Sequence, residues 1–147
     1  MMPPDALKAK IVKAFNQLNK NTIDELDEFY TDDAEFIDPV SRIKGLPGIK
    51  KYYANVYKNV ESIQFDFKEI QHDELSFYGQ WVMTFSTKML NGGKPFAVEG
   101  LSVIKFNAHG KVFFHRDYTD LGSMVYEKVP VLGSVIRLIK NTMHVKA

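Results

Sequence analysis

The hydrophobic period changes once along this chain, and that change restricts the fold more than any single motif. Up to about residue 57 the apolar residues recur every three or four positions; from about residue 62 they recur every second one. Leu7, Ile11, Phe15 and Leu18 form one face of a helix introduced by Pro3, Pro4 and Asp5, residue types that suit the free N–H groups of a first turn. Asn19-Lys20-Asn21 ends it. Thr22 is then placed to cap a second short helix, TIDELDEFY, with Glu25 in the capping-box position. A short strand over residues 34–37 and a loop from Pro39 to Gly45 lead to a third helix, residues 46–57. Its Ile49, Tyr52, Tyr53 and Val56 share the inward face.

The second half reads as four strands, SIQFDFKEI, QWVMTFSTKML, FAVEGLSVIKF and KVFFHRDYTDL. In the second of these Trp81, Met83, Phe85 and Met89 lie opposite Thr84, Ser86 and Lys88. Asn91-Gly92-Gly93 and Asn107-Ala108-His109-Gly110 supply turn chemistry between strands. Three helices followed by an antiparallel meander make an α+β protein, with the helices covering one face of a sheet. A chain of 147 residues is one domain, 1–147, in which residues 129–147 add a C-terminal helical extension.

Composition excludes several function classes. The 19 basic and 18 acidic residues nearly cancel, so no global field recruits nucleic acid. The absence of cysteine removes disulfides, thiolate nucleophiles and thiolate metal sites, and fits a cytoplasmic protein. His72, His109, His115 and His144 are scattered without metal-ligand spacing, and no dinucleotide or phosphate loop is present. Neither a metal nor a cofactor is expected. Aromatic residues at 13% favour a sheet core or an apolar pocket.

The strings FYTDDAEFIDPV, IKGLPGIKKYYANVY and VIKFNAHGKV, set after a helix pair and along a meander, resemble the nuclear transport factor 2-like superfamily. Within it the chain is similar to the SnoaL-like and ketosteroid isomerase-like groups, over Leu7 to about Leu121. The resemblance implies a cone: a curved sheet wrapped by three N-terminal helices around a deep, mostly apolar pocket, often dimeric. It puts Asp38 at the place of the isomerase's proton-shuttling base. Ala14 and Ser102 stand where the isomerase has its two oxyanion donors, a tyrosine and a protonated aspartic acid. Alanine donates nothing, and losing one such donor costs roughly 100- to 1,000-fold in rate, so steroid isomerase activity itself is not expected. Tyr30 and Tyr53 match tyrosines that line or support the isomerase pocket, and Trp81, Met83 and Phe85 read as cavity wall.

Asp38 has two readings from its own sequence, because aspartate before Pro39 is also a common turn-former. In FFHRDYTD, residues His115, Asp117 and Thr119 share a strand face; the resemblance turns that face, with Ser102, into the pocket. An imidazole two residues from a carboxylate suits acid–base work, or is simply a buried histidine satisfied by its neighbour. The opposite facing would bring Arg116, Tyr118 and Asp120 inside instead. Leu101 and Val103, opposite Ser102, suggest a homodimer through the outer sheet face. After Pro130 an apolar stripe, Val131, Leu132, Val135, Ile136, Leu138 and Ile139, is accompanied by Lys128, Arg137, Lys140 and Lys146 and by no acid. It reads as a lid or a packing helix in preference to a membrane-surface contact.

The expected function is a cofactor-independent isomerase, cyclase or hydratase on a small apolar carbonyl compound, with Asp38 as base and His115 with Asp117 as acid or orienter. A non-catalytic small-molecule binder, or a protein-interaction module using the C-terminal helix, would employ the same fold.

Overall fold

In a computed structural model that describes residues 3–145, Pro4–Gln17 forms α1 and Leu26–Phe29 forms α2. Tyr30–Ile37 is β1, Arg42–Lys44 β2 and Leu46–Asn59 α3. The long strands are β3 (Ser62–His72), β4 (Ser76–Ser86), β5 (Phe96–Phe106) and β6 (Val112–Thr119). Leu121–Met124 is α4 and Leu132–Met143 is α5. Met1, Met2, Lys146 and Ala147 lie outside the described residues, and with them the Lys146 of the basic tail.

The six strands form one curved, open sheet in the order β2-β1-β6-β5-β4-β3. β3 to β6 are the expected antiparallel meander, but β1 joins the sheet parallel to β6. Period alone does not reveal this pair, because a strand's alternation is the same whichever way its neighbour runs. α1 packs along β3 and α3 on β1, so the helices cover the face that carries the core. Leu7 and Ile11 of α1, Ile49 of α3 and Phe36 of β1 are buried together with Phe77 and Ile104 from the meander. A second cluster, Trp81, Met83, Phe85 and Val98, lies at the other end of the β4–β5 ladder.

Four local expectations change. Thr22 caps nothing downstream: its Oγ1 accepts from the Asn19 N–H at 2.9 Å and its hydroxyl donates to the Gln17 carbonyl, tying off the end of α1. Residues 23–25 form a 3-10 turn, and Tyr30 leaves the helix to begin β1, which has eight residues rather than four. The loop expected from Pro39 to Gly45 contains β2, paired with the end of β1. Met89 is not part of the wall: β4 ends at Ser86, and Met89 is 76% exposed in the turn beyond it.

On the inner face Trp81 lies over its cross-strand partner Gly100, whose missing side chain leaves room for the indole. A Cβ at Gly100 would stand 2.2 Å from the ring. The outer edge of β3 is met by α1: the Asn16 carboxamide accepts from the Phe65 N–H at 2.8 Å and donates to the Phe65 carbonyl at 3.2 Å.

Candidate acid–base pocket

The concave side of the sheet, α3 and α4 enclose a cavity of about 310 Å³. Trp81, Met83, Phe85 and Phe65 supply apolar wall, while Leu121, Met124 and Val125 supply the part contributed by α4 and its exit. Thr119, Tyr52, Tyr53 and Tyr57 add hydroxyls. Asp38 and Asp117 are the two charged residues that line it. Small-molecule sites typically span about 300–1,000 Å³ with a few polar groups on apolar walls, so this cavity suits a small ligand. A second, inner space of about 60 Å³ is bounded by Ala14, Phe15, Tyr30, Tyr53 and Asp117 among others.

Asp117 is the end of a buried relay. The Trp81 indole N–H donates to Ser102 Oγ at 2.8 Å; since indole nitrogen only donates, the serine proton is free to go elsewhere. Ser102 donates it to Asp117 Oδ1 at 2.6 Å. His115 Nε2 lies 2.7 Å from the same oxygen, and His115 Nδ1 lies 2.6 Å from the Tyr30 hydroxyl. Tyr30 in turn is 3.2 Å from the Tyr53 hydroxyl. With Asp117 ionised, Nε2 carries a proton and donates it; a neutral ring then accepts from Tyr30 at Nδ1, and Tyr30 accepts from Tyr53. Every bond in the chain points toward one carboxylate. His115 is only 1% exposed, with Phe36 edge-on to it at 5.0 Å between centroids and Phe15 beside it at 5.6 Å. Asp117, by contrast, keeps 19% of its side chain exposed.

Asp38 plays both of the parts its sequence allows. Oδ1 accepts from the Val40 and Ser41 N–H groups at 2.9 and 2.6 Å, which builds the turn into β2. Oδ2 accepts from the Tyr52 hydroxyl and borders the cavity. One carboxylate thus shapes a turn and faces a ligand space.

A sequence profile described as SnoaL-like domain matches residues 11–115, more than two-thirds of the chain. The chain belongs to the SnoaL-like family. Solved structures show the same fold at low identity. A candidate SnoaL-like polyketide cyclase from Jannaschia sp. CCS1 shares 14% identity at a TM-score of 0.72, covering 84% of this chain and 92% of that one. A candidate SnoaL-like polyketide cyclase from Shewanella putrefaciens CN-32 shares 18% at 0.68, covering 82% and 91%. A hypothetical protein with a ketosteroid isomerase-like fold from Catenulispora acidiphila, solved with trimethylamine, shares 17% at 0.65, covering 80% and 87%. No curated protein matches the sequence.

Within this SnoaL-like domain the residues singled out in the sequence fall into two layers. Asp38, Tyr53, Trp81, Met83, Phe85, Asp117 and Thr119 line the larger cavity, and Tyr30 lines the inner one. Ser102 and His115 line neither. They lie beneath the wall, Ser102 bonded to Trp81 and Asp117 and His115 bonded to Asp117 and Tyr30. The inward facing of His115 and Asp117 puts Arg116 and Tyr118 on the opposite side, where the guanidinium stacks on the phenol at 4.6 Å. Asp120 instead caps α4, accepting from the Ser123 N–H at 3.0 Å. Tyr52 was legible as an inward residue but not as the partner of Asp38, fourteen positions away. The α4 wall gave no signal, since LGSM is too short to show a period. Among the described residues no group of three or more His, Asp or Glu side chains is placed to hold a metal ion.

Burial, foremost, raises the ionisation of Tyr30, Tyr52 and Tyr53 well above the usual phenol range; at Tyr52 the neighbouring Asp38 carboxylate adds to the effect. Tyr57 is pushed up to about 12 by the same burial and by the charge of Asp117. These hydroxyls therefore stay protonated donors at neutral pH. Their contribution to stability is fully present below the ordinary phenol pKa of about 10 and is lost as pH rises through the folded values. Each adds a slope of about 1.4 kcal/mol per pH unit once unfolded tyrosine ionises. Melting temperature is expected to fall steeply above pH 10, and less steeply in Tyr57→Phe; equal slopes in the two proteins would contradict the assignment.

Proposed function

We propose that this SnoaL-like domain moves a proton within a small apolar carbonyl compound, as a cofactor-independent isomerase, cyclase or hydratase. The observation that carries the reading is that the charged lining of an apolar cavity consists of two carboxylates, Asp38 and Asp117, each held by hydroxyl donors. A carboxylate beside apolar surface can take a proton from the carbon next to a carbonyl. The C–H bond breaks, an O–H bond forms on the carboxyl group, and the electron pair moves into the carbonyl as an enolate. In an isomerase the proton returns to another carbon; in a cyclase the enolate carbon attacks a second carbonyl. Asp38 is the base in this scheme, with the Tyr52 hydroxyl beside it. Asp117 is the second acid–base group, and His115, behind it, sets its hydrogen bonding without touching substrate. The cyclase-like descriptions of two fold neighbours support the reaction class at the level of fold alone.

Hydrogen–deuterium exchange at carbon tests this without a known substrate. A panel of small cyclic and polyketide-like ketones in D2O, followed by NMR, is expected to show enzyme-dependent exchange for at least one compound. Asp38→Asn keeps the turn-forming oxygen and is expected to reduce that exchange by about 100- to 10,000-fold. Exchange that survives in Asp38→Asn removes this residue as base. A binding role without turnover has its own support in the three donors already satisfying Asp38. It would show as ligand-induced thermal stabilisation with no exchange in any compound.

A further inference from the structure

We propose that α5 is an in-plane anchor that lays this protein on an anionic lipid surface, a role independent of the chemistry in the pocket. The helix is docked the wrong way round for a packing element. Its small and polar face meets the body: Gly133 is buried against the Glu127 backbone, where a Cβ would approach the carbonyl oxygen to 2.4 Å. Arg137 Nη1 donates to the Glu127 carbonyl at 3.1 Å, and Lys140 Nζ pairs with Glu127 Oε2 at 3.1 Å. At 100° per residue, Leu132, Val135, Ile136, Ile139 and Met143 fall on a different arc, extended by Leu138. Apart from the half-buried Ile136, that arc points to solvent. Leu138 is 65% exposed and Met143 75%, with Val131 at 79% just before the helix. None of these residues lines the pocket, so the stripe does not form the wall of its mouth.

Charge decides the occupant. From Lys128 to Ala147 the sequence carries four basic residues and no acid; Arg137 and Lys140 hold Glu127 yet stay exposed, so the segment remains net basic beside its stripe and complements an anionic headgroup layer. Two copies meeting stripe to stripe would bring their basic flanks together with no acid to pair across the contact. A lipid surface needs no matching shape and accepts a narrow apolar strip at the depth of the acyl–headgroup boundary. Among the described residues no helix is long and apolar enough to cross a membrane, which leaves an in-plane contact.

Flotation of the full-length protein with vesicles tests the proposal, using phosphatidylglycerol mixed with phosphatidylcholine and, separately, phosphatidylcholine alone. Wild type is expected to float with the anionic vesicles and to be released several-fold at high salt. The double variant Leu138→Asp, Met143→Asp alters two exposed side chains, so its melting temperature should match wild type while its bound fraction falls about ten-fold. Three outcomes would overturn the idea. The protein remains unbound by both vesicle types; the double variant floats as well as wild type; or pure phosphatidylcholine binds equally well. Light scattering supplies a fourth: a dimer abolished by the same double variant, without vesicle binding, would make a second copy the occupant.

Discussion

Trp81→Ala is expected to lower stability by about 3–5 kcal/mol, the range for truncating a large buried aromatic. For a domain of this size that corresponds to a fall of roughly 6–20 °C in melting temperature. Trp81 is 2% exposed, packs edge-on to Phe65 at 5.1 Å and donates to Ser102. Its removal opens a void between the core cluster and the pocket and leaves Ser102 without its donor. Gly100 makes the argument quantitative, because the indole and the glycine share one space. Gly100→Ala alone is expected to cost about 1–3 kcal/mol, since the added methyl drives the ring out of place. In the Trp81→Ala background the same methyl has room, and the cost should vanish. The double-mutant cycle by denaturant titration should therefore return a coupling about as large as the single Gly100→Ala effect. Additive effects would mean that the indole is not what excludes a side chain there.

The second large effect falls on His115. His115→Leu fits the aromatic box around the ring but removes two hydrogen bonds in a buried place. Tyr30 then keeps only the contact from Tyr53, and Asp117 keeps only Ser102. Leaving buried polar groups short of partners costs about 1–3 kcal/mol each, so a total of about 2–6 kcal/mol is expected in urea unfolding. Adding Tyr30→Phe should recover about 1 kcal/mol, because the orphaned hydroxyl goes with it. A double variant less stable than His115→Leu alone would show that Tyr30 contributes through something other than this bond.

Much of the architecture was legible because the signals were long and periodic. Eleven-residue strands such as β4 and β5 repeat their alternation often enough to fix facing, so Trp81, Met83 and Phe85 read from sequence alone as one face, the face that borders the cavity. Short elements gave no such redundancy. The three-residue β2 was hidden in a loop, and the start of β1 was absorbed into the preceding helix because DEFY suits a last helical turn as well as a first strand residue. The pocket was half legible for a related reason. Strand parity placed His115 and Asp117 on one face, but parity cannot tell which residue touches the cavity and which lies beneath. That distinction depends on what packs over each residue, Phe15 and Phe36 over His115, and on α4, whose position no local pattern encodes. The pairing of Asp38 with Tyr52 joins a turn to a helix, and only the assembled fold brings them together.

The carboxamide of Asn16, which takes both the donor and the acceptor of Phe65, has a meaning for how molecules of this protein meet one another. An eleven-residue strand at the border of a sheet offers unpaired peptide groups to any extended segment that comes by. Here the amide occupies one such pair as a neighbouring strand would. The register shift between Phe67 and Glu69 then breaks the regular spacing further along. At the opposite border β2 has three residues, with Arg42 and Lys44 at its ends. Both margins of the sheet are thus guarded against fibril-like stacking, and a chain rich in β-structure can remain dispersed without closing into a barrel.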